Sequence, residues 1–141
     1  MQVLESALYA ENLEETAAFY AGVIGLERIA EAEGRHVFFR AGDGVLLLFR
    51  PSATREPPAP GARVPVPPHG AAGPGHLCFA GTAEEIGRWR ARLGAAGVAI
   101  EADFEWPQGG RSIYFRDPAG NSIEIAEPRI WGLAPAARPG G

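Results

Sequence analysis

Two stretches of the chain carry the same series of local signals in the same order, one on each side of a Pro/Gly-rich segment. This repetition narrows the choice of fold more than any single motif does. In the first stretch a strand is predicted over Val3–Tyr9, and Asn12 with Glu15 three residues later forms a capping-box pattern. Leu13, Ala17, Tyr20 and Val23/Ile24 then recur at helical spacing until Gly25 supplies a stop. Three short strands follow, Leu26–Ala32, His36–Ala41 and Val45–Arg50, separated by Glu33-Gly34-Arg35 and Gly42-Asp43-Gly44. The second stretch begins with a strand at His76–Ala80. A helix capped by Thr82 runs from about Ala83 to Ala96, with Ile86, Trp89 and Leu93 as its buried stripe. Strands at Val98–Glu105, Ser112–Arg116 and Ser122–Glu127 complete it, with turns at Pro107–Gly110 and Asp117–Gly120.

Between the two stretches, Pro51–Gly75 holds eight of the thirteen prolines and four glycines, which leaves few backbone donors for a sheet ladder. It reads as a connector. The expected fold is α+β: two βαβββ modules forming a concave, incompletely closed mixed β-sheet cup, with the helices outside. Residues 1–132 are expected to form a single domain, with module one at 1–50, the connector at 51–75 and module two at 76–127. Residues 133–141 are expected to be a flexible tail.

Composition excludes several function classes. Thirteen basic against seventeen acidic residues give a net charge of −4, with no basic cluster to neutralise a phosphate backbone, so no nucleic-acid partner is expected. Every basic residue is Arg, which closes mechanisms that need a lysine amine. No apolar run approaches the roughly 20 residues of a membrane helix. The lone Cys78 and a polar start without a secretory pattern lead to the expectation of a reducing, cytoplasmic setting. Exposed edge strands make a homodimer the default.

Period-2 alternation sorts the strand residues by face. Ile123 and Ile125 point toward a helix, while Ser122, Glu124 and Ala126 face the other way. Leu77 and Phe79 likewise leave His76, Cys78 and Ala80 opposite, so His76 and Glu124 share a face. Tyr114 points the same way with Ser112 and Arg116, and the alternation of the first strand allows Glu5 to do so. Aligning Gly44–Leu48 with Gly120–Glu124 makes Leu47 or Leu48 the first-module counterpart of Glu124.

Three segments then resemble the vicinal oxygen chelate superfamily, the glyoxalase/bleomycin-resistance/extradiol-dioxygenase fold. They are Glu11–Glu14 through Phe19-Tyr20 to Val23–Leu26, then Gly75–Phe79, then Tyr114–Glu124. The resemblance covers about residues 3–127. It implies a divalent metal held by Glu5, His76 and Glu124, of which His76 and Glu124 match the family's residue types and Glu5 stands where many members have His. One His and two carboxylates suit Fe, Mn, Ni, Mg or Zn rather than a thiolate-seeking ion. Leu47 stands where four-ligand members such as glyoxalase I carry a glutamate, which argues against that assignment. Tyr114 lies ten residues before Glu124, as a tyrosine does in the extradiol dioxygenases, but the further upstream His of that pattern is absent from Phe104-Glu105-Trp106-Pro107.

The expected function is therefore that of a metal-dependent enzyme acting on a small oxygen-chelating molecule, aromatic ones included. Glu5, Tyr114 or His69 would move a proton. Phe38, Phe49 and Trp106, with Trp131, and the cations Arg111 and Arg116 suggest an apolar lining with a cationic edge for an anionic aromatic ligand. The alternative is a metal-free protein of the bleomycin-resistance kind that sequesters a planar compound. A third, a structural subunit, predicts no pocket of ligand size.

Overall fold

A computed structural model describes residues 1–135. The chain divides into two compact units, one built from residues 1–75 with 118–120 and the other from 76–117 with 121 onward.

The first unit runs β1 (Glu5–Tyr9), α1 (Leu13–Phe19), a π-helical turn (Tyr20–Ile24), β2 (Glu27–Ala32), β3 (His36–Ala41), β4 (Gly44–Phe49) and α2 (Pro51–Thr54). Its four-stranded mixed sheet has the order β1-β4-β3-β2, with β1 parallel to β4 and the other pairs antiparallel. Leu8, Val37, Phe39, Leu46 and Leu48 bury one face of this sheet with Leu13, Ala17 and Tyr20. Each such large side chain contributes about 1.5–3 kcal/mol of burial. Tyr20 stands 6.1 Å from Phe39, ring to ring.

The second unit repeats the plan: β5 (His76–Ala80), α3 (Ala83–Ala95), β6 (Ala102–Glu105), β7 (Arg111–Arg116), β8 (Ser122–Ala126) and a 3-10 turn (Pro128–Trp131). The sheet order is β5-β8-β7-β6, with β5 parallel to β8. Ile113, Phe115, Ile123 and Ile125 are buried with Ile86 and Leu93 of α3. Thr82 forms a full capping box, its hydroxyl accepting from the Glu85 N–H at 3.1 Å and its own N–H donating to the Glu85 carboxylate at 2.8 Å. The α+β class and the two βαβββ sheets are thus as expected.

Several local expectations are corrected. The capping box at Asn12 does not form. Its side chain is spent elsewhere, donating to the Pro118 carbonyl at 3.0 Å and to Glu15 at 3.2 Å and accepting from the Thr16 hydroxyl at 3.3 Å. β1 begins at Glu5, and Val3 and Leu4 are exposed. The last turn of the first helix widens because the Gly25 and Leu26 N–H groups both reach back to the Tyr20 carbonyl, with Gly25 in the left-handed region. Trp89 is only half-buried, under the Arg92 guanidinium. The strand expected from Val98 starts at Ala102, because the Val98 N–H is spent on the Leu93 carbonyl at the helix end.

The connector contains an ordered turn. Glu11 accepts from the Ser52 N–H at 2.7 Å and its hydroxyl at 2.8 Å, which satisfies the start of α2 from a distance. Those bonds, with the Ser52 hydroxyl foremost, hold the Glu11 carboxyl below its ordinary value. Among the described residues no helix is long and apolar enough to cross a membrane. Most of the expected tail lies outside the described residues.

Candidate functional site

In the second unit β8 is flanked by β5 and β7, so a residue on its uncovered face has a cross-strand neighbour on either side. Glu124 is that residue, paired with Cys78 on β5 and with Tyr114 on β7. Next to this row lies His76–Ser122–Arg116. The alternation that drives Ile123 and Ile125 into the core therefore places a carboxylate between the uncharged Cys78 and Tyr114, with His76 and Arg116 in the adjacent row.

Glu124 is only 5% exposed. Its Oε2 accepts from the Ser112 hydroxyl at 2.6 Å, and the Ser112 Oγ in turn accepts from the Trp106 indole N–H at 2.8 Å. Its Oε1 stands 3.3 Å from His76 Nε2. The other ring nitrogen, Nδ1, lies 2.9 Å from the Ser122 carbonyl. A carbonyl only accepts, so Nδ1 carries a proton and, in the neutral ring, Nε2 presents its lone pair to Oε1. Two electron pairs facing one another require something positive between them. A proton on His76 satisfies this as an ion pair, and a bound cation satisfies it as a chelate whose ligands are both fixed from behind.

Tyr114 and Cys78 complete the surround. Partial burial, then the Glu124 charge, push both the Tyr114 phenol and the Cys78 thiol up to about 12. Both stay protonated near neutrality; the Cys78 thiol donates to the Phe79 carbonyl at 3.5 Å. The Tyr114 ring lies nearly parallel to His76, 6.2 Å away at 18°, and to Phe104, 5.8 Å away at 10°; Phe104 meets Trp106 edge-on at 4.9 Å. Phe104 is exposed and forms an aromatic platform beside Glu124. The pairing of Phe104 with Ser112 could have revealed it, since both then share the face of Tyr114. The Ser112–Trp106 bond had no sequence signal, because it closes a loop whose path the sequence leaves open.

The two expected cations are already engaged. Arg111 donates to Asp103 at 2.9 Å, a carboxylate that also receives Arg90 of α3, so Arg111 stands on the helix-facing side. Arg116 forms a bidentate pair with Glu101 at 2.7 and 2.9 Å.

The register of the first unit settles the counterpart of Glu124. Ala7 pairs with Leu47 and Leu47 with Phe38, as Cys78 pairs with Glu124 and Glu124 with Tyr114. Leu47 is the counterpart, and Glu5 at the head of β1 matches His76 at the head of β5. Glu5 is exposed on the same face of its sheet as Leu47. Phe38 and Phe49 pack there with His36 and His69. The His69 Nδ1 is 2.7 Å from the Tyr9 hydroxyl, and its ring stands 4.5 Å from Phe49. Trp131 is 79% exposed on its 3-10 turn in the second unit. Among the described residues no cluster of three or more His, Cys, Asp or Glu is poised to hold a metal. Of the expected ligands, His76 and Glu124 are the two that stand side by side.

Comparison with known proteins gives this geometry a context. No curated protein sequence matches the chain. A crystal structure of a lactoylglutathione lyase from Agrobacterium tumefaciens is 41% identical, covers 94% of this chain and 98% of its own, and superposes with a TM-score of 0.89. A glyoxalase/bleomycin resistance protein/dioxygenase from Nocardioides (21% identity, 100% and 89% coverage, TM-score 0.68) shares the fold. So does a genomically encoded fosfomycin resistance protein from Listeria monocytogenes (22% identity, 90% and 93% coverage, TM-score 0.65). The family model of the Glyoxalase/Bleomycin resistance protein/Dioxygenase superfamily matches residues 2–125, across both βαβββ repeats, and the chain belongs to that superfamily.

Proposed function

We propose that this protein is an enzyme that uses a divalent metal to act on a small molecule through oxygen atoms of that molecule. The observation that carries the reading is the opposition of His76 Nε2 and Glu124 Oε1 at 3.3 Å, with Nδ1 and Oε2 each tied down on the far side. An imidazole nitrogen and a carboxylate oxygen suit Fe, Mn, Ni or Zn, and Mg less well, since Mg prefers oxygen alone. Glu5, at the position matching His76, is the third ligand expected from the family resemblance. When bound, the metal would supply Lewis-acid stabilisation of negative charge on substrate oxygen.

The chain's own residues have definite parts in this reading. Tyr114, whose phenol stays protonated, donates a hydrogen bond rather than acting as the base. Phe104 and Trp106 offer an apolar surface to a flat or apolar part of the substrate. His69, held by Tyr9, and Glu5 remain the candidates for moving a proton. The 41% identical relative named a lactoylglutathione lyase supports catalysis over passive binding, while Leu47 sets this chain apart from a four-ligand arrangement. Exposed Val3, Leu4, Trp131 and Leu133 support a homodimer, and the free thiol of Cys78 suits a reducing cytoplasm.

The test is metal analysis of the purified protein, with His76→Ala and Glu124→Gln beside it. About one equivalent per chain, lost in both variants and restored by add-back as a rise in Tm, is expected. No metal and no thermal shift with Fe, Mn, Ni, Zn or Mg, together with chelator-insensitive binding of an aromatic compound, would transfer the chain to the metal-free sequestering class.

A further inference from the structure

Six arginines, Arg28, Arg40, Arg90, Arg111, Arg116 and Arg129, are matched to carboxylates. Arg35 is among those with no carboxylate partner among the described residues: its Nη1 reaches the Ala53 carbonyl at 3.5 Å. It lines a cleft of about 480 Å³ in the first unit, and Glu56 lines the same cleft with no side-chain hydrogen bond or ion pair among the described residues. One wall is the proline-stiffened stretch 57–66, where Val64 and Val66 are 71% and 46% exposed. His36 also lines the cleft. Its ring lies flat on Phe38 at 4.0 Å, and its Nδ1 is shielded from solvent without a partner among the described residues. Burial and the neighbouring Arg35 charge hold this imidazole below the ordinary histidine value, so it is a neutral, largely apolar surface at pH 7.

The volume falls in the range of small-molecule sites, about 300–1,000 Å³. The two charges of opposite sign, neither in an ion pair among the described residues, decide the ligand class. A simple anion drawn by Arg35 meets repulsion from Glu56, and a simple cation drawn by Glu56 meets Arg35. Only a molecule carrying both signs satisfies both groups, and its remainder must be apolar to cover the 57–66 wall. We infer that this cleft binds small zwitterions of the amino-acid type, with the carboxylate on Arg35, the ammonium on Glu56 and an apolar side chain along residues 57–66.

The experiment is calorimetric titration of the full chain, stripped with chelator so that the result is independent of any metal. The probes are L-phenylalanine, N-acetyl-L-phenylalanine and L-phenylalaninamide. The free amino acid is expected to saturate, and masking either charge to weaken binding by about tenfold or more. In Arg35→Gln the amide and the free acid should bind alike, and in Glu56→Gln the acetylated and free forms should. Both side chains lie outside the core, and an unchanged Tm of each variant shows that the fold is kept. Absence of saturable binding, equal binding of all three probes, or loss of affinity on masking only one of the two charges overturns the assignment.

Discussion

The Ser112 hydroxyl donates to Glu124 Oε2 at 2.6 Å while accepting from the Trp106 indole N–H at 2.8 Å, so a carboxylate in the sheet is aimed by a tryptophan in the adjoining loop. The chain of bonds has one direction, because indole only donates and carboxylate only accepts. Ser112→Ala leaves Oε2 buried without its donor, and Glu124 is then free to rotate away from His76. Metal affinity is expected to fall about 10–100-fold, the usual cost of losing a partner behind a ligand. Trp106→Phe keeps the serine bond and should cost less. Metal titration of the three proteins gives the order, and equal affinity of Ser112→Ala and the wild type would falsify the orienting role.

Cys78 should be accessible yet slow to react. Its thiol is exposed on β5, but partial desolvation and the facing Glu124 carboxylate push it up to about 12. Alkylation needs the thiolate, so at pH 8 the rate with iodoacetamide should fall at least about tenfold below that of free cysteine. Glu124→Gln should raise the rate by removing the charge, and a divalent cation seated between His76 and Glu124 should raise it too. A wild-type rate equal to that of free cysteine would show that Glu124 does not govern this thiol.

How much was legible in the sequence follows from what kind of bond decides each feature. The alternation of Ile123-Glu124-Ile125 and Leu77-Cys78-Phe79 is enough to put His76 and Glu124 on one face, because a strand's two faces are set by covalent geometry alone. Thr82 and Glu85 announced a capping box that formed, since it closes within one turn. Asn12 and Glu15 announced one that did not, because Thr16 offered the asparagine a competing hydroxyl. The choice between Leu47 and Leu48 needed the strand register, which depends on pairing across the sheet. Arg111 looked like a ligand-binding cation until β6 placed Asp103 beside it. The contacts invisible in the sequence, Trp106 to Ser112 and His69 to Tyr9, join loops to strands over paths that no local pattern specifies.

Gly110 ties the Trp106 loop in place. Its carbonyl accepts from the Trp106 N–H at 2.8 Å, its φ is +94°, and an added Cβ would stand 2.5 Å from Ile130 Cγ2. Gly110→Ala should therefore destabilise by about 2 kcal/mol or more, from the left-handed backbone and the clash together. Gly94 of α3 has open space around its would-be Cβ, so Gly94→Ala should stabilise by about 0.5–1 kcal/mol. Denaturant unfolding of the two variants tests the contrast. A neutral Gly110→Ala would mean that the loop holding Trp106 adapts, and the bond to Ser112 with it.

Asp103 fastens α3 to the sheet that carries the site, and its effect should be read in acid. Its Oδ1 accepts from Arg90 Nη2 at 3.1 Å and from Arg111 Nε at 2.9 Å, and these bonds, with Arg90 foremost, hold the carboxyl below the ordinary 3.8. For a carboxyl depressed in the folded state, the stabilisation is complete above the unfolded value and is lost as pH falls through the folded one. The wild type should accordingly keep this contribution down to about pH 4 and lose it below that. Glu11, Glu101 and Glu127 are shifted in the same direction, so the informative quantity is the difference from Asp103→Asn. At pH 7 that variant should be less stable by about 1 kcal/mol, a modest figure because all three side chains are partly exposed. The gap should close as pH falls below the depressed folded-state value, where the wild-type carboxyl is itself protonated. Melting curves of both proteins across this range decide it. A gap that stays constant with pH would assign the loss to packing of β6 against α3, and the ionic account of Asp103 would fail.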